Sequence, residues 1–98
     1  MKTEVIRGED GVNVVFDGNI DLSSVDEIRR SLEDVGRLGE RRVVLDLNRV
    51  EFVDSAGLGA LVTFYKSHPQ SRIVFSQVND RIRKLFQITR LDTLFQIE

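Results

Sequence analysis

The chain has 98 residues, of which 41% are hydrophobic and 31% charged, and its formal net charge is −2. This length and composition predict one globular domain, residues 1–98, and the slight acidity gives no support for nucleic-acid binding. The lack of cysteine excludes disulfides and thiol chemistry. No run approaches the about 18 apolar residues of a membrane span, and the N-terminus does not resemble a signal peptide. We therefore expect a cytoplasmic protein without membrane insertion.

The first elements are predicted to form a β-hairpin. Apolar residues occupy alternate positions from 12 to 16, which is typical of a strand with one buried face. Residues 2–7 are expected to pair with this strand through a turn at residues 9–11. The segment after Gly18 is very short, so we interpret this glycine as a bulge within one longer strand that reaches Ile20.

A helix is predicted next. Ser24 and Glu27 are three residues apart and form a potential capping box at its start. Either Gly36 or Gly39 is expected to end the helix. The residues expected to face the core follow at helical spacing: Val25, Ile28, Leu32 and Val35.

The middle of the chain predicts a strand, a polar turn and a second helix. Residues 43–47 are short, β-branched and nearly all apolar, which predicts a central strand buried on both faces. The second helix begins near Ser55 and ends where His68 and Pro69 interrupt the pattern. Its predicted core stripe has helical spacing and consists of Leu58, Leu61, Val62 and Tyr65.

The C-terminal third predicts a strand at residues 73–75, then a third helix capped by Asn79 or Asp80. A short turn and a terminal strand should follow. The third helix turns Ile82, Leu85 and Phe86 inward and also carries several basic residues, Arg81, Arg83 and Lys84, with Arg90 after them. We interpret these charges as a solvated face, and docking of an acidic partner is the alternative.

Strands that alternate with helices predict an α/β fold with a partly parallel sheet, and the hairpin makes that sheet mixed. In such sheets functional loops gather beyond the carboxyl ends of the parallel strands. Ser55 follows one of these strands and opens a helix, so its hydroxyl is expected to be exposed beside the free N–H groups of the helix start. A phosphate could be added and removed at such a position.

Catalytic and metal-binding alternatives have little support. A Ser–His hydrolase would need His68 near Ser55, but a straight helix separates them by roughly 20 Å, and the G-x-S-x-G motif is absent. Gly57-Leu58-Gly59 matches neither common phosphate-binding motif. With one histidine and no cysteine, the chain has no recognisable metal-ligand spacing. We therefore expect neither metal nor cofactor.

Gly57 and Gly59 are unfavourable in a helix by about 0.5–1 kcal/mol each relative to alanine. One hypothesis is close packing of the helix start against the sheet. The other is that a bare surface lets the backbone of another protein approach Ser55. The two hypotheses are compatible.

The segment V-V-L-D-L-N-R-V-E-F-V-D-S-A-G-L-G-A-L resembles the signature of STAS domains, specifically the bacterial anti-sigma factor antagonists. F-D-G-N-I-D-L resembles the G-x-[IL]-D segment of that family, and V-N-D-R-I-R-K-L-F-Q-I-T-R-L-D-T-L-F resembles its third helix and following turn. The resemblance extends over nearly the whole chain. It implies a mixed sheet of about four or five strands, with about three or four helices packed mainly on one face.

The resemblance implies a non-enzymatic switch in transcription regulation. In that family an anti-sigma factor with serine-kinase activity phosphorylates the serine after the motif aspartate, using its own ATP, and a phosphatase removes the phosphate. The unmodified form binds the anti-sigma factor and frees the sigma factor. By this resemblance Ser55 is the phosphoacceptor, and Ala56 excludes a second acceptor beside it. The implied partner-binding residues are Asp21, Asp54, Ser55, Ala56, Gly57, Leu58 and Gly59.

STAS domains also serve in stressosome-like scaffolds and as small subunits of lipid-transport complexes. Such a role is the alternative prediction. It would keep the fold and lose the kinase partner.

Overall fold

The computed structural model describes all residues, 1–98, as a hairpin followed by strands that alternate with helices. The elements are β1 (Lys2–Arg7), β2 (Val12–Asp17), α1 (Val25–Arg37), β3 (Arg42–Arg49), α2 (Ser55–Ser67), β4 (Arg72–Ser76), α3 (Asp80–Ile88) and β5 (Gln96–Ile97). One turn of 3-10 helix, Leu91–Thr93, precedes β5. The predicted order of elements is confirmed.

The five strands lie in the sheet in the same order as in the chain, β1-β2-β3-β4-β5. β1 is antiparallel to β2, and every other neighbouring pair is parallel. Because three right-handed crossovers step in the same direction across the sheet, α1, α2 and α3 all lie on one face. The prediction of a mixed sheet with helices mainly on one face is thus confirmed.

β3 is buried on one face only. Val43, Leu45 and Leu47 are buried beneath the helices, whereas Val44 and Asp46 on the opposite face are half-buried. The prediction that this strand is buried on both faces was wrong. An apolar residue at position 44 made the run look continuous, but no helix covers the second face of the sheet.

The hairpin is as predicted, with the Gly8 N–H donating to the Gly11 carbonyl at 2.8 Å. β2, however, does not continue to Ile20. It ends at Asp17 after an irregularity in its pairing with β3, and Gly18 turns the chain away with a φ of 124°. Ile20 then forms only a single bridge to the segment after β3. The prediction of one bulged strand was therefore wrong.

α1 begins after Ser24, but the predicted capping box is absent. The Ser24 hydroxyl donates to the Asn19 carbonyl at 2.8 Å and accepts from the Asp21 N–H at 3.1 Å. The side chain therefore closes the preceding loop instead of capping the helix. Of the two predicted C-terminal glycines, Gly39 follows the helix with a φ of 64°, which is why the helix ends there. The four predicted inward residues of α1 are all buried.

α2 is rotated relative to the prediction. Its buried residues are Gly57, Ala60, Leu61 and Phe64. They have the predicted helical spacing, but each lies one position before the corresponding residue of the predicted stripe. Only Leu61 is shared with the predicted stripe, and the larger residues at positions 58, 62 and 65 are half-buried at its side. Gly57 lets the start of the helix approach the loop that contains Ile20, whereas Leu61 and Phe64 pack in the core.

α3 is capped as predicted, since the Asn79 side chain accepts from the Ile82 N–H at 2.8 Å. Ile82 and Phe86 are buried, and Leu85 is half-buried. The ring of Phe86 packs edge-on against Phe75 and Phe95. This aromatic cluster fixes α3 and the C-terminal turn against β4.

Candidate functional site

Two loops meet at the carboxyl edge of the parallel strands. The loop from β2 to α1 and the loop from β3 to α2 are joined by backbone hydrogen bonds. The Ile20 N–H donates to the Phe52 carbonyl at 3.1 Å, and the Asp54 N–H donates to the Ile20 carbonyl at 3.1 Å. The short parallel bridge between Ile20 and Val53 continues the sheet beyond its last regular pair. These backbone hydrogen bonds thus fix the two loops next to each other, and together they form one continuous surface.

Asp54 connects this surface to the start of α2. Its Oδ1 accepts from the Gly57 N–H at 2.8 Å, which caps the helix, and its Oδ2 accepts from the Leu22 N–H at 3.0 Å. Both carboxylate oxygens are therefore used inside the domain. The residue predicted to bind a partner is half-buried and positions the two loops relative to each other.

Ser55 is the first residue of α2, and its side chain is exposed. Its hydroxyl forms no hydrogen bond with the rest of the chain, and the cap of the helix is supplied by Asp54. His68 lies at the other end of the helix, where its Nδ1 is 2.9 Å from the Phe64 carbonyl oxygen. The serine and the histidine are not brought together, so no Ser–His pair exists.

Asp21 lies in the loop beside Ser55's helix start. Its Oδ1 accepts from the Ser23 hydroxyl at 2.6 Å and from the Ser23 N–H at 3.0 Å. The hydrogen bond from the Ser23 hydroxyl is the main reason that the pKa of Asp21 is lowered. A carboxylate that accepts several hydrogen bonds is stabilised in its charged form. Asp21 therefore presents a fixed negative charge at this edge of the sheet.

The two glycines of α2 have different surroundings. A Cβ at Gly57 would collide with the carbonyl oxygen of Ile20, so this glycine is required where the helix packs on the joined loops. A Cβ at Gly59 would meet nothing within 4 Å, and the residue is exposed. The packing hypothesis therefore accounts for Gly57 only. Ala56, just before Gly57, and Leu58, between the two glycines, are both half-buried.

Sequence reasoning missed the large apolar side chains at this edge. Leu22 is 71% exposed, Phe52 is 38% exposed and Ile88 is 71% exposed. The signal that could have found one of them is a phenylalanine within a polar turn, between Glu51 and the buried Val53. Phe52 and Ile88 line the same surface groove, and a contiguous exposed apolar patch is typical of a binding surface.

No cluster of three or more potential metal-ligating side chains occurs in the protein. None of its helices has the length and apolar character needed to cross a bilayer.

Comparison with known proteins identifies the family. The family model described as STAS domain matches residues 3–98. The chain belongs to the STAS domain family. An anti-sigma-B factor antagonist of Listeria monocytogenes is 34% identical to this STAS domain over 95 residues, which cover 94% of this chain and 82% of that protein.

Solved structures agree with this STAS fold. An anti-sigma factor antagonist from Mycobacterium paratuberculosis has a TM-score of 0.91 at 24% identity, covering 98% of this chain and 83% of its own. The phosphorylated form of the Bacillus cell fate determinant SpoIIAA has a TM-score of 0.74 at 19% identity, with 99% and 91% covered. At these identities the structural similarity establishes the fold.

Proposed function

We propose that this STAS domain is an anti-sigma factor antagonist whose binding is controlled by phosphorylation of Ser55. The unmodified domain binds an anti-sigma factor and so releases a sigma factor. The anti-sigma factor is itself the serine kinase that modifies Ser55, and a phosphatase restores the free hydroxyl. Antagonists of this kind are regulatory proteins and not enzymes. Because they act on the transcription machinery, we place the protein in the cytoplasm.

The observation that carries this proposal is the exposed, unbonded hydroxyl of Ser55 at the first position of α2. A kinase can reach it without unfolding the domain. The curated relative from Listeria supports the choice of partner, because it is named as an anti-sigma-B factor antagonist. The structural neighbour SpoIIAA supports the choice of modification, because it is described in a phosphorylated form.

The free domain should tolerate the phosphate. A phosphoserine adds about −1.5 to −2 charge at pH 7. The α2 dipole offsets part of this charge by about 0.3–1 kcal/mol, and the negative charge of Asp54 opposes it. Ser55 has no hydrogen bond to lose, so its modification requires no rearrangement of α2. The fold should therefore be almost the same in both states.

A complex that buries Ser55 should not tolerate the phosphate. An uncompensated charge that is forced into an interface costs several kcal/mol, and each about 1.4 kcal/mol changes the affinity tenfold. The same modification that leaves the free domain intact can thus abolish binding. In this proposal Asp21 and the half-buried Ala56 and Leu58 contact the partner around Ser55. Gly57 and Asp54 hold the surface in place, and Gly59 admits the partner's backbone.

The direct test is phosphorylation. The purified protein is incubated with ATP and with each anti-sigma factor of its own organism, and the products are analysed by intact-mass and peptide mass spectrometry. We expect one phosphate, on Ser55, and none in Ser55→Ala. Ser67→Ala is the matched control, since Ser67 is also exposed on α2 but lies at its opposite end. Phosphate on another residue, or none with any of these kinases, would refute the regulatory part of the proposal.

Binding is tested separately by titration calorimetry with the same anti-sigma factors. Ser55→Asp should weaken binding by at least about tenfold, because even a single buried charge costs more than 1.4 kcal/mol. The melting temperature should stay close to that of the wild type, since Ser55 makes no internal contact through its hydroxyl. A large drop in melting temperature would mean that Ser55 has a structural role. Binding of the wild type to a partner that never phosphorylates Ser55 would instead indicate a scaffold role.

A further inference from the structure

A groove lies between α3 and the loop that leads from β3 to Ser55. Its volume is about 450 Å³, and its lining is mostly apolar. The buried side chains of Val53 and Ile82 form its floor, and Phe52, Leu85 and Ile88 form its walls. The floor of the groove is therefore part of the buried core, whereas its walls are accessible to solvent.

The walls expose more apolar surface than the fold requires. Ile88 is 71% exposed and Phe52 is 38% exposed, although each belongs to a residue type that is usually buried. Ile88 is the last residue of α3, and Leu85 lies one turn before it on the same side of the helix. These two residues lie beside the buried stripe of Ile82 and Phe86. Leu85 packs partly against the core, whereas most of the Ile88 side chain is left uncovered by the chain.

The groove also carries a positive charge. Arg81 and Lys84 line it, no acidic side chain does, and both basic residues share the side of α3 that carries Leu85 and Ile88. Neither cation forms an ion pair, since the four ion pairs of the domain involve other arginines. The domain as a whole has a net charge of −2, so this is a local basic site on a slightly acidic protein.

The groove is continuous with the surface around Ser55. Phe52 and Val53 in its lining belong to the segment that is hydrogen-bonded to the neighbouring loop through Ile20. The next residue, Asp54, caps the helix that begins with Ser55. A protein that covers the Ser55 hydroxyl would therefore lie next to this groove, whose lining includes the residues two and three positions before Ser55.

We propose that the groove is an anchor site for the anti-sigma factor, occupied by a bulky apolar side chain of that partner with carboxylates on either side of it. The proposal rests on the proposed function and adds the chemistry of the partner's contact. The apolar side chain fills the space between Phe52 and Ile88, and the carboxylates pair with Arg81 and Lys84. In this proposal the groove contributes binding affinity, and phosphorylation of Ser55 prevents the complex from forming.

The test uses the anti-sigma factor that binds the wild-type protein, with affinities measured by calorimetry and rates by surface plasmon resonance. Ile88→Ala should weaken binding by about tenfold, the effect typical of a central apolar anchor. Lys84→Glu should lower the association rate constant and remove part of its dependence on salt. Both residues lie on the surface of α3, so circular dichroism and melting should match the wild type.

Matched controls lie at the other end of the domain. Leu38→Ala removes an exposed leucine just after α1, and Lys66→Glu reverses a charge in the last turn of α2. Neither should change the affinity by more than about twofold, since isolated surface changes are usually small. Their effects define the background against which the groove variants are judged.

The outcomes separate this proposal from the function on which it rests. If Ser55→Asp releases the partner while Ile88→Ala and Lys84→Glu bind like wild type, the antagonist function stands and the anchor site is refuted. If the wild type binds no anti-sigma factor, both proposals fail. If the free protein dimerises in sedimentation experiments and Ile88→Ala makes it monomeric, a second copy occupies the groove and the anchor proposal is overturned.

Discussion

The two glycines of α2 provide a matched pair of substitutions. Gly57→Ala and Gly59→Ala add the same methyl group to the same helix, two residues apart. At Gly59 the new Cβ enters open space, whereas at Gly57 it collides with the backbone carbonyl of Ile20. The intrinsic gain in helix propensity is the same at both positions, so the difference between the variants isolates the contact with the loop.

The magnitudes follow from this geometry. Replacing glycine by alanine within a helix stabilises it by about 0.5–1 kcal/mol when the space is free. For a domain of this size, 1 kcal/mol corresponds to about 4–8 °C in melting temperature, so Gly59→Ala should melt about 2–8 °C higher than wild type. Forcing a methyl group against a fixed backbone costs about 1–3 kcal/mol, so Gly57→Ala should melt several degrees lower.

The assay is thermal and urea denaturation of both variants, followed by titration with the anti-sigma factor. Gly59→Ala should be more stable than the wild type and yet bind more weakly, because the methyl group keeps the partner's backbone away. A decrease in stability for Gly59→Ala would show that the fold itself needs this glycine. An equal gain in both variants would refute the close packing of α2 on the loop that contains Ile20.

Three further predictions concern the core, the loop junction and Asp21. Leu45→Ala should lower the free energy of unfolding by about 2–5 kcal/mol, measured in urea, because Leu45 is fully buried, and Val44→Ala on the open face should cost much less. Asp54→Ala removes a helix cap and a second hydrogen bond, so it should cost about 2–3 kcal/mol in the same assay, and a loss below 0.5 kcal/mol would contradict the role assigned to this carboxylate. Because the pKa of Asp21 is lower in the folded protein, its contribution to stability is present above the unfolded pKa of about 3.9 and is lost as the pH falls through the folded pKa. Ser23→Ala should raise the pKa of Asp21 in an NMR titration, and an unchanged pKa would be contrary to the assigned cause.

Most elements of the fold were predictable because their signals are local. Apolar alternation located β2, helical spacing located α1, and Asn79 marked the start of α3. The position of Ser55 at the start of α2 also followed from sequence, since a strand, a polar turn and an amphipathic helix follow one another within residues 43–65. These features depend on contacts between residues that are near in the chain.

The errors concern contacts between residues that are distant in the chain. The phase of α2 was wrong because Leu58 and Val62 are more apolar than Gly57 and Ala60. The folded helix nevertheless buries Gly57, where it contacts the loop that contains Ile20. Ser24 matched a capping pattern, but loop closure through Asn19 supplied a better partner. Joining of the two loops through Ile20 could not be predicted, because it pairs segments about thirty residues apart.

The backbone bonds that join the two loops have a consequence for the speed of partner exchange. Ile20 and Asp54 fix this edge of the sheet before any partner arrives. Association therefore loses little conformational entropy, and no slow ordering step precedes contact. Under the proposed phosphorylation of Ser55, partner exchange would be limited only by diffusion and dissociation, and the response time would be set by the kinase and the phosphatase.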